Sequence, residues 1–266
     1  MDTERIRKLA ENPNFIPGIY NYCDRWCGRC PLTSRCMNFA LSEEQFDDPQ
    51  SHDINNKAFW QKLSEVFRVT LEMVKETAQQ QGIALDSLNL RSAMEDHKAT
   101  QVTIDSHECT RTAKTYSQIV DKLFESAKHS FAAKADDLNV EARLELPDSN
   151  PLDEAGELND LVEVIRWYQH QIYVKIARAI EGALDEASHM PDDAPKDSDG
   201  SAKVALIAID RSIAAWGRMY EYFPQHKAEI LDILLLLDRL RARTQSSFPN
   251  TRAFVRPGFD NENQDS

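Results

Sequence analysis

Glycine is scarce, with eight residues in a chain of 266, and no stretch alternates β-branched with polar residues over the length of a strand. Both absences argue against sheet, because strands show that two-residue period and the turns between them draw on glycine. An excess of basic residues is also missing: 31 Lys and Arg stand against 44 Asp and Glu, a formal net charge of -13. Such a chain repels a polyanion, which sets nucleic acid aside as a main partner. Long apolar runs are lacking as well. The longest near the C-terminus, "ILDILLLLDRL", is interrupted by Asp232 and Asp238 and is far too short to span a bilayer. The opening "MDTERIRKLAENPN" is charged and contains no apolar core of a secretory signal. The expectation is a cytoplasmic protein with no membrane segment. No P-loop, dinucleotide fingerprint, nucleophile elbow or HExxH helix occurs, so no motif names a reaction, and whether the protein is an enzyme stays open.

What is present is helical periodicity. Hydrophobic residues make up 41% of the chain, enough to bury a core without help from metal or disulfide. Phe59, Leu63, Phe67, Leu71, Val74 and Ala78 form one stripe, which predicts a helix over 54–81 with Gly82 as its stop. A second helix is expected within 92–134, centred on "YSQIVDKLFESA". The turn formers and acids of "PDSNPLDEAG" read as a connection. Residues 158–187 give the clearest pattern, with Asn159, Asp160, Glu163, Arg166, His170, Arg178 and Glu181 on one arc opposite Ile165, Ile172, Ile176 and Ala183. "HMPDDAPKDSDGS" reads as a flexible acidic loop, and "SAKVALIAIDRSIAAWGRMYEYF" as a helix ended by Pro224, which can open the next helix of a hairpin. The pattern predicts an all-α protein, an antiparallel helical bundle with an N-terminal cysteine-rich segment. The expected organisation is a cysteine segment over 1–48, helices over 49–248 with loops near 135–156 and 189–200, and a docking segment with a polar tail over 249–266.

The sharpest chemical statement is "YCDRWCGRCPLTSRC", which holds Cys23, Cys27, Cys30 and Cys36 in the spacing C-x3-C-x2-C-x5-C. In a reducing compartment such a cluster points to metal ligands or redox thiols rather than disulfides. On a helix the first three share a face, and Pro31 turns the chain so that Cys36 can return. Reach separates the candidate metals. A continuous helix over 23–30 sets its ends roughly 10 Å apart, whereas zinc with bonds near 2.3 Å needs sulfurs under about 4 Å from one another. An iron-sulfur cluster is wider and tolerates that span. An irregular segment, which Gly28 permits, makes zinc equally reasonable. Arg5, Arg7, Lys8, Arg25, Arg29 and Arg35 outnumber Asp2, Glu4, Glu11 and Asp24 over residues 1–36, and nearby cations favour the thiolate that a metal requires.

Rival readings exist. "WCGRC" resembles a thioredoxin-type active site, but that chemistry needs a βαβ setting that this sequence lacks. The spacing from Cys23 to Cys30 is also that of radical-SAM enzymes, which carry an aromatic residue where Arg29 stands and need a βα barrel. Four unligated thiols are the plainest alternative. Elsewhere, Cys109 beside His107 reads as an incidental cysteine, and His170 with Glu163 and Arg166 as a solvated helix face. Glu-x-x-His occurs once, at Glu186 and His189, which argues against a di-iron bundle.

At "FIPGIYNYCDRWCGRCPLTSRC" and again at "FPNTRAFVRPGFD" the chain resembles a family of uncharacterised bacterial proteins, over both ends and the helical middle. The resemblance implies a bacterial cytosolic origin and carries no activity. In the second motif Phe248, Phe254 and Phe259 alternate with Arg252, Arg256 and two prolines, so the aromatics are expected to dock on the body and leave only about the last six residues free. Arg252 or Arg256 is expected to reach an acidic or anionic group in or near the cysteine segment. The sequence thus predicts a metal centre on Cys23, Cys27, Cys30 and Cys36. It is either an iron-sulfur cluster (4Fe-4S) with a redox or sensory role or a structural zinc in a protein-interaction module without catalysis, and a protein partner is left open.

Overall fold

The apolar periodicity is realised as nine α-helices, and no strand occurs among the described residues. The computed structural model describes residues 3–46, 48–85, 90–144, 150–189 and 196–260. In chain order the helices are α1 (Thr3–Ala10), α2 (Met37–Gln45), α3 (Lys57–Gln80), α4 (Leu90–Ser106), α5 (Glu108–Ser126), α6 (Lys128–Leu144), α7 (Pro151–His189), α8 (Asp197–Tyr222) and α9 (Lys227–Ser247). The protein is all-α. It divides into two compact units, one of residues 1–98 with 255–266 and one of residues 99–254, so that both chain ends belong to the first unit and the boundary falls inside α4.

In the first unit α3 forms where its stripe predicts. Asn56 caps it by accepting the Ala58 N–H at 3.0 Å. Gly82, with φ 69°, ends it: the Ile83 N–H reaches the Ala78 carbonyl at 2.8 Å and the Gly82 N–H reaches Gln79 at 3.2 Å, the paired bonds of a Schellman stop. The stripe is buried only at Ala78 and half-buried at Phe59 and Leu63, and its middle is exposed. Phe67 is 60% exposed, and Leu71 and Val74 are exposed with it, while Val69 on the far side is 1% exposed. Neighbours decide this: α3 packs on α1, where Arg7 pairs with Glu76 at 2.5 Å, and on the short 3-10 turn of Pro49–His52.

The second unit carries the larger core. Ile165, Ile172 and Ile176 of α7 are fully buried and Glu163, Arg166 and His170 lie outside, as their arc predicts. α7 packs on α8, α8 on α9, and α5 on both α7 and α9. Tyr116 of α5 and Trp216 of α8 are buried together, the indole N–H donating to the phenol oxygen at 3.1 Å, and burial pushes the Tyr116 hydroxyl up to about 12.

Three boundaries differ from expectation. The helix expected within 92–134 is α5, which His107 opens with an extended backbone (ψ 139°) and a ring nitrogen that accepts the Cys109 N–H at 3.2 Å, whereas α6 runs to Leu144, into the loop expected near 135–156. α7 begins at Pro151, within the predicted connection; proline suits a first helical position because its missing N–H is not needed there, and Asp153 and Glu154 favour the positive end. Residues 145–149 lie outside the described part.

The third boundary is the acidic loop. Residues 190–195 lie outside the described part, but 197–201 are the opening of α8, not loop, and 198–201 are buried. The adjoining helix supplies what these polar residues need. Arg178 pairs with Asp197 at 2.9 Å, and Glu186 accepts from the Ser198 N–H at 2.9 Å and its hydroxyl at 2.6 Å. Gly182 allows the close approach: a Cβ there would lie 3.3 Å from the Ser198 nitrogen. No helix among the described residues is long and apolar enough to cross a membrane.

Burial, followed by the charge of Glu186, raises the Asp199 carboxyl above its usual range, with Lys196 opposing. A carboxyl that holds its proton more tightly when folded favours the fold below its unfolded value, and that contribution is lost as the pH rises through the folded value. Asp199→Asn is therefore expected to raise Tm at pH 7 by about 2–4 °C and to have little effect near the bottom of the carboxylate range. Thermal unfolding at both pH values checks this, and a lower Tm at pH 7 would contradict it.

Candidate metal centre

The cysteines lie on a loop that the backbone closes on itself. The Ile16 N–H donates to the Arg35 carbonyl at 3.0 Å, tying the two ends of the segment together, and Ile19 is buried as its apolar anchor. Between these ends the chain is not a helix. It makes short 3-10 turns at Ile19–Asn21, Cys27–Arg29 and Thr33–Arg35. The last two deliver a cysteine in the same manner: the Cys30 N–H returns to the Cys27 carbonyl at 3.2 Å and the Cys36 N–H to Thr33 at 3.1 Å. Both cysteines then take extended backbones, with ψ 123° and 109°. Cys36 also opens α2 without using its side chain as a cap.

The chain bends at Tyr22 and Cys23, and between Cys23 and Cys27 it passes through Arg25, which has φ 59° and is the non-glycine residue with positive φ among those described. A side-chain-bearing residue in that region costs about 1–2 kcal/mol, and such strain gathers where the chain is held for a purpose. Asp24 accepts the Trp26 N–H at 3.2 Å, and the Arg29 guanidinium lies over the Trp26 ring at 4.1 Å. The positive φ thus falls at Arg25, whereas Gly28 sits inside a 3-10 turn with no unusual φ.

All four thiols are free. The Cys23 thiol donates to the Tyr20 carbonyl at 3.5 Å, and Cys30 sulfur accepts the Leu32 N–H at 3.4 Å. Cys27 is exposed and the other three are half-buried. Burial raises the Cys27 thiol first; the charges of Cys23, Cys36 and Cys30 raise it further, and Arg25 opposes them. Cys27 is thus in electrostatic reach of the other three, although no group of three cysteines, histidines or carboxylates among the described residues is gathered closely enough to hold a metal ion. The donor set suits a metal, since mutually repelling thiolates are what a cation relieves.

The other candidates fall elsewhere. Cys109 is buried in the second unit and its thiol is raised by burial, with Thr244 and Ser247 as hydrogen-bonding neighbours. His170 is exposed on α7 and meets the Ser117 hydroxyl at 3.0 Å.

The C-terminal motif docks in two parts. Phe248 and Thr251 are buried in the second unit, where Arg252 pairs with Asp210 of α8 at 3.1 Å. In the first unit Arg256 pairs with Asp260 at 2.9 Å and lies over the Phe259 ring at 4.9 Å. The carboxylates that take these arginines, Asp210 and Asp260, lie outside residues 23–36. The contact that reaches toward the cysteine segment was not predicted: Gly258, with φ 77°, comes so close that a Cβ would lie 2.8 Å from Ile16 Cδ1 and 3.2 Å from Ile19 Cδ1. Only the combination of Gly258 with two prolines and aromatics hinted at it in the sequence. Val255 stays exposed, and the tail 261–266 lies outside the described residues.

Compared with protein-family models, curated proteins and solved structures, the chain matches none.

Gly258→Ala adds a methyl group against Ile16 in a backbone region that disfavours it, and is expected to cost about 1–3 kcal/mol. Gly28→Ala meets nothing within 4 Å and is expected to change stability by less than about 0.5 kcal/mol. Denaturant unfolding of the two variants checks the contrast; equal effects would mean that the Gly258 contact does not hold the loop.

Proposed function

We propose that this protein binds a metal centre through Cys23, Cys27, Cys30 and Cys36, and that the centre is an iron-sulfur cluster of the 4Fe-4S kind with a redox or sensory role. The observation that carries the reading is four free thiols on one short loop pinned at Ile16 and Arg35. Structural zinc sites commonly join ligand pairs separated along the chain, whereas ferredoxin-type clusters draw cysteines from one compact run. The spacing here is compact. A cluster supplies one-electron chemistry when bound. The chain's own residues hold it in place: the 3-10 turns present Cys30 and Cys36, the Leu32 N–H favours charge on the Cys30 sulfur, and Arg25, Arg29 and Arg35 supply compensating positive charge. The exposed Cys27 marks the side open to an electron donor or oxidant.

A second reading, structural zinc in a protein-interaction module, is favoured by one observation. The backbone from Cys23 to Cys30 is irregular, which removes the span that would keep four short side chains from a single ion.

Protein purified without oxygen separates these. The cluster predicts a brown preparation with broad absorption toward the blue and about four iron and four sulfide per chain; zinc predicts a colourless one with about one zinc. Cys27→Ser and Cys36→Ser should each lose most of the metal. Full metal content in both variants, or no metal in the parent protein, would sink the assignment.

A further inference from the structure

A groove of about 580 Å³ runs between α5 and α9 in the second unit, within the size range of small-molecule sites. Its register is fixed by the ion pair of Glu108 with Arg243 at 3.0 Å, which joins the start of α5 to the end of α9 and makes the two helices antiparallel. Counting inward from that pair by three and four residues places Arg111 opposite Arg239, and both line the groove. Neither has a carboxylate partner among the described residues, while Arg243 is already taken. Two arginines thus line one groove without a carboxylate partner among the described residues, in a chain of net charge -13. Like charges so placed repel, and the nearest remaining acid of the groove, Asp232, is two turns from Arg239 along α9, roughly 10 Å.

The rest of the groove specifies more than charge. The Thr112 and Thr115 hydroxyls already donate to the Glu108 and Arg111 carbonyls, at 2.8 and 3.0 Å, so the donors left for an anion are the guanidiniums. Beyond the arginines the α9 wall is apolar, formed by Leu235 and Leu236, with Leu235 47% exposed. Guanidinium matches the two oxygens of a carboxylate or phosphate in a paired geometry.

We infer that the α5–α9 groove binds a small amphipathic anion, its carboxylate or phosphate head held between Arg111 and Arg239 and its apolar body lying on Leu235 and Leu236. This site is independent of the cysteine segment, and its test does not depend on metal.

The full-length protein is titrated calorimetrically at constant ionic strength with three probes: octanoate, phenyl phosphate and the uncharged octanamide. Saturable binding of at least one charged probe is expected, and which one binds identifies the head group. Arg111→Ala and Arg239→Ala should each weaken it by about tenfold or more, while Lys122→Ala, an exposed change on α5 away from the groove, should leave it unchanged. Without ligand, both arginine variants should be at least as stable as the parent at low salt, because a repulsion is removed. Octanamide binding as well as octanoate, no saturation by either charged probe, or unchanged affinity in both arginine variants would overturn the site. So would a drop in ligand-free stability, which would make the arginines structural.

Discussion

The contact of Gly258 with Ile16 and Ile19 closes the chain on itself, and the first unit depends on it. Residues 255–260 can lie against the loop only because position 258 has no side chain and a positive φ that glycine adopts without cost. Through Ile19 this contact holds one side of the cysteine segment, and the hydrogen bond from Ile16 to Arg35 holds its ends. The backbone of the loop is therefore ordered before any ligand arrives. Ordering a residue costs about 1–2 kcal/mol, so a loop fixed in advance leaves more of the metal's binding energy to appear as affinity.

The strain at Arg25 lies within the same segment. The loop between Ile16 and Arg35 takes a positive φ at a residue that bears a long, charged side chain. That choice sets a guanidinium among the thiols, where it opposes the mutual repulsion felt by Cys27. The second unit has no such dependence. Its core of Ile165, Ile172, Ile176, Trp216 and Leu237 is made by helices alone.

Much of this was legible in the sequence where a single helix determines the outcome. The inward face of α7 and the Gly82 stop of α3 follow from period and capping alone. What was not legible depended on neighbours. The middle of the Phe67 stripe is exposed because α1 and the turn at 49–52 take the other side of α3. The polar opening of α8 is buried because Glu186 and Arg178 of α7 satisfy it. At the candidate site the identity of the four cysteines was plain from spacing, and the possibility of an irregular path was foreseen. Its detail was not, since the positive φ falls at Arg25 rather than at Gly28. Likewise the carboxylates that take Arg252 and Arg256 are chosen by register, with Asp210 on α8 and Asp260 one turn along the C-terminal segment.

The central claim is that Cys23, Cys27, Cys30 and Cys36 together ligate one metal centre. X-ray absorption at the metal edge of anaerobically purified protein tests it most directly. The account predicts a first shell made wholly of sulfur at about 2.3 Å, with a second shell of neighbouring iron if the centre is a cluster. A first shell dominated by nitrogen or oxygen would contradict it, because four thiolates leave no place for those ligands.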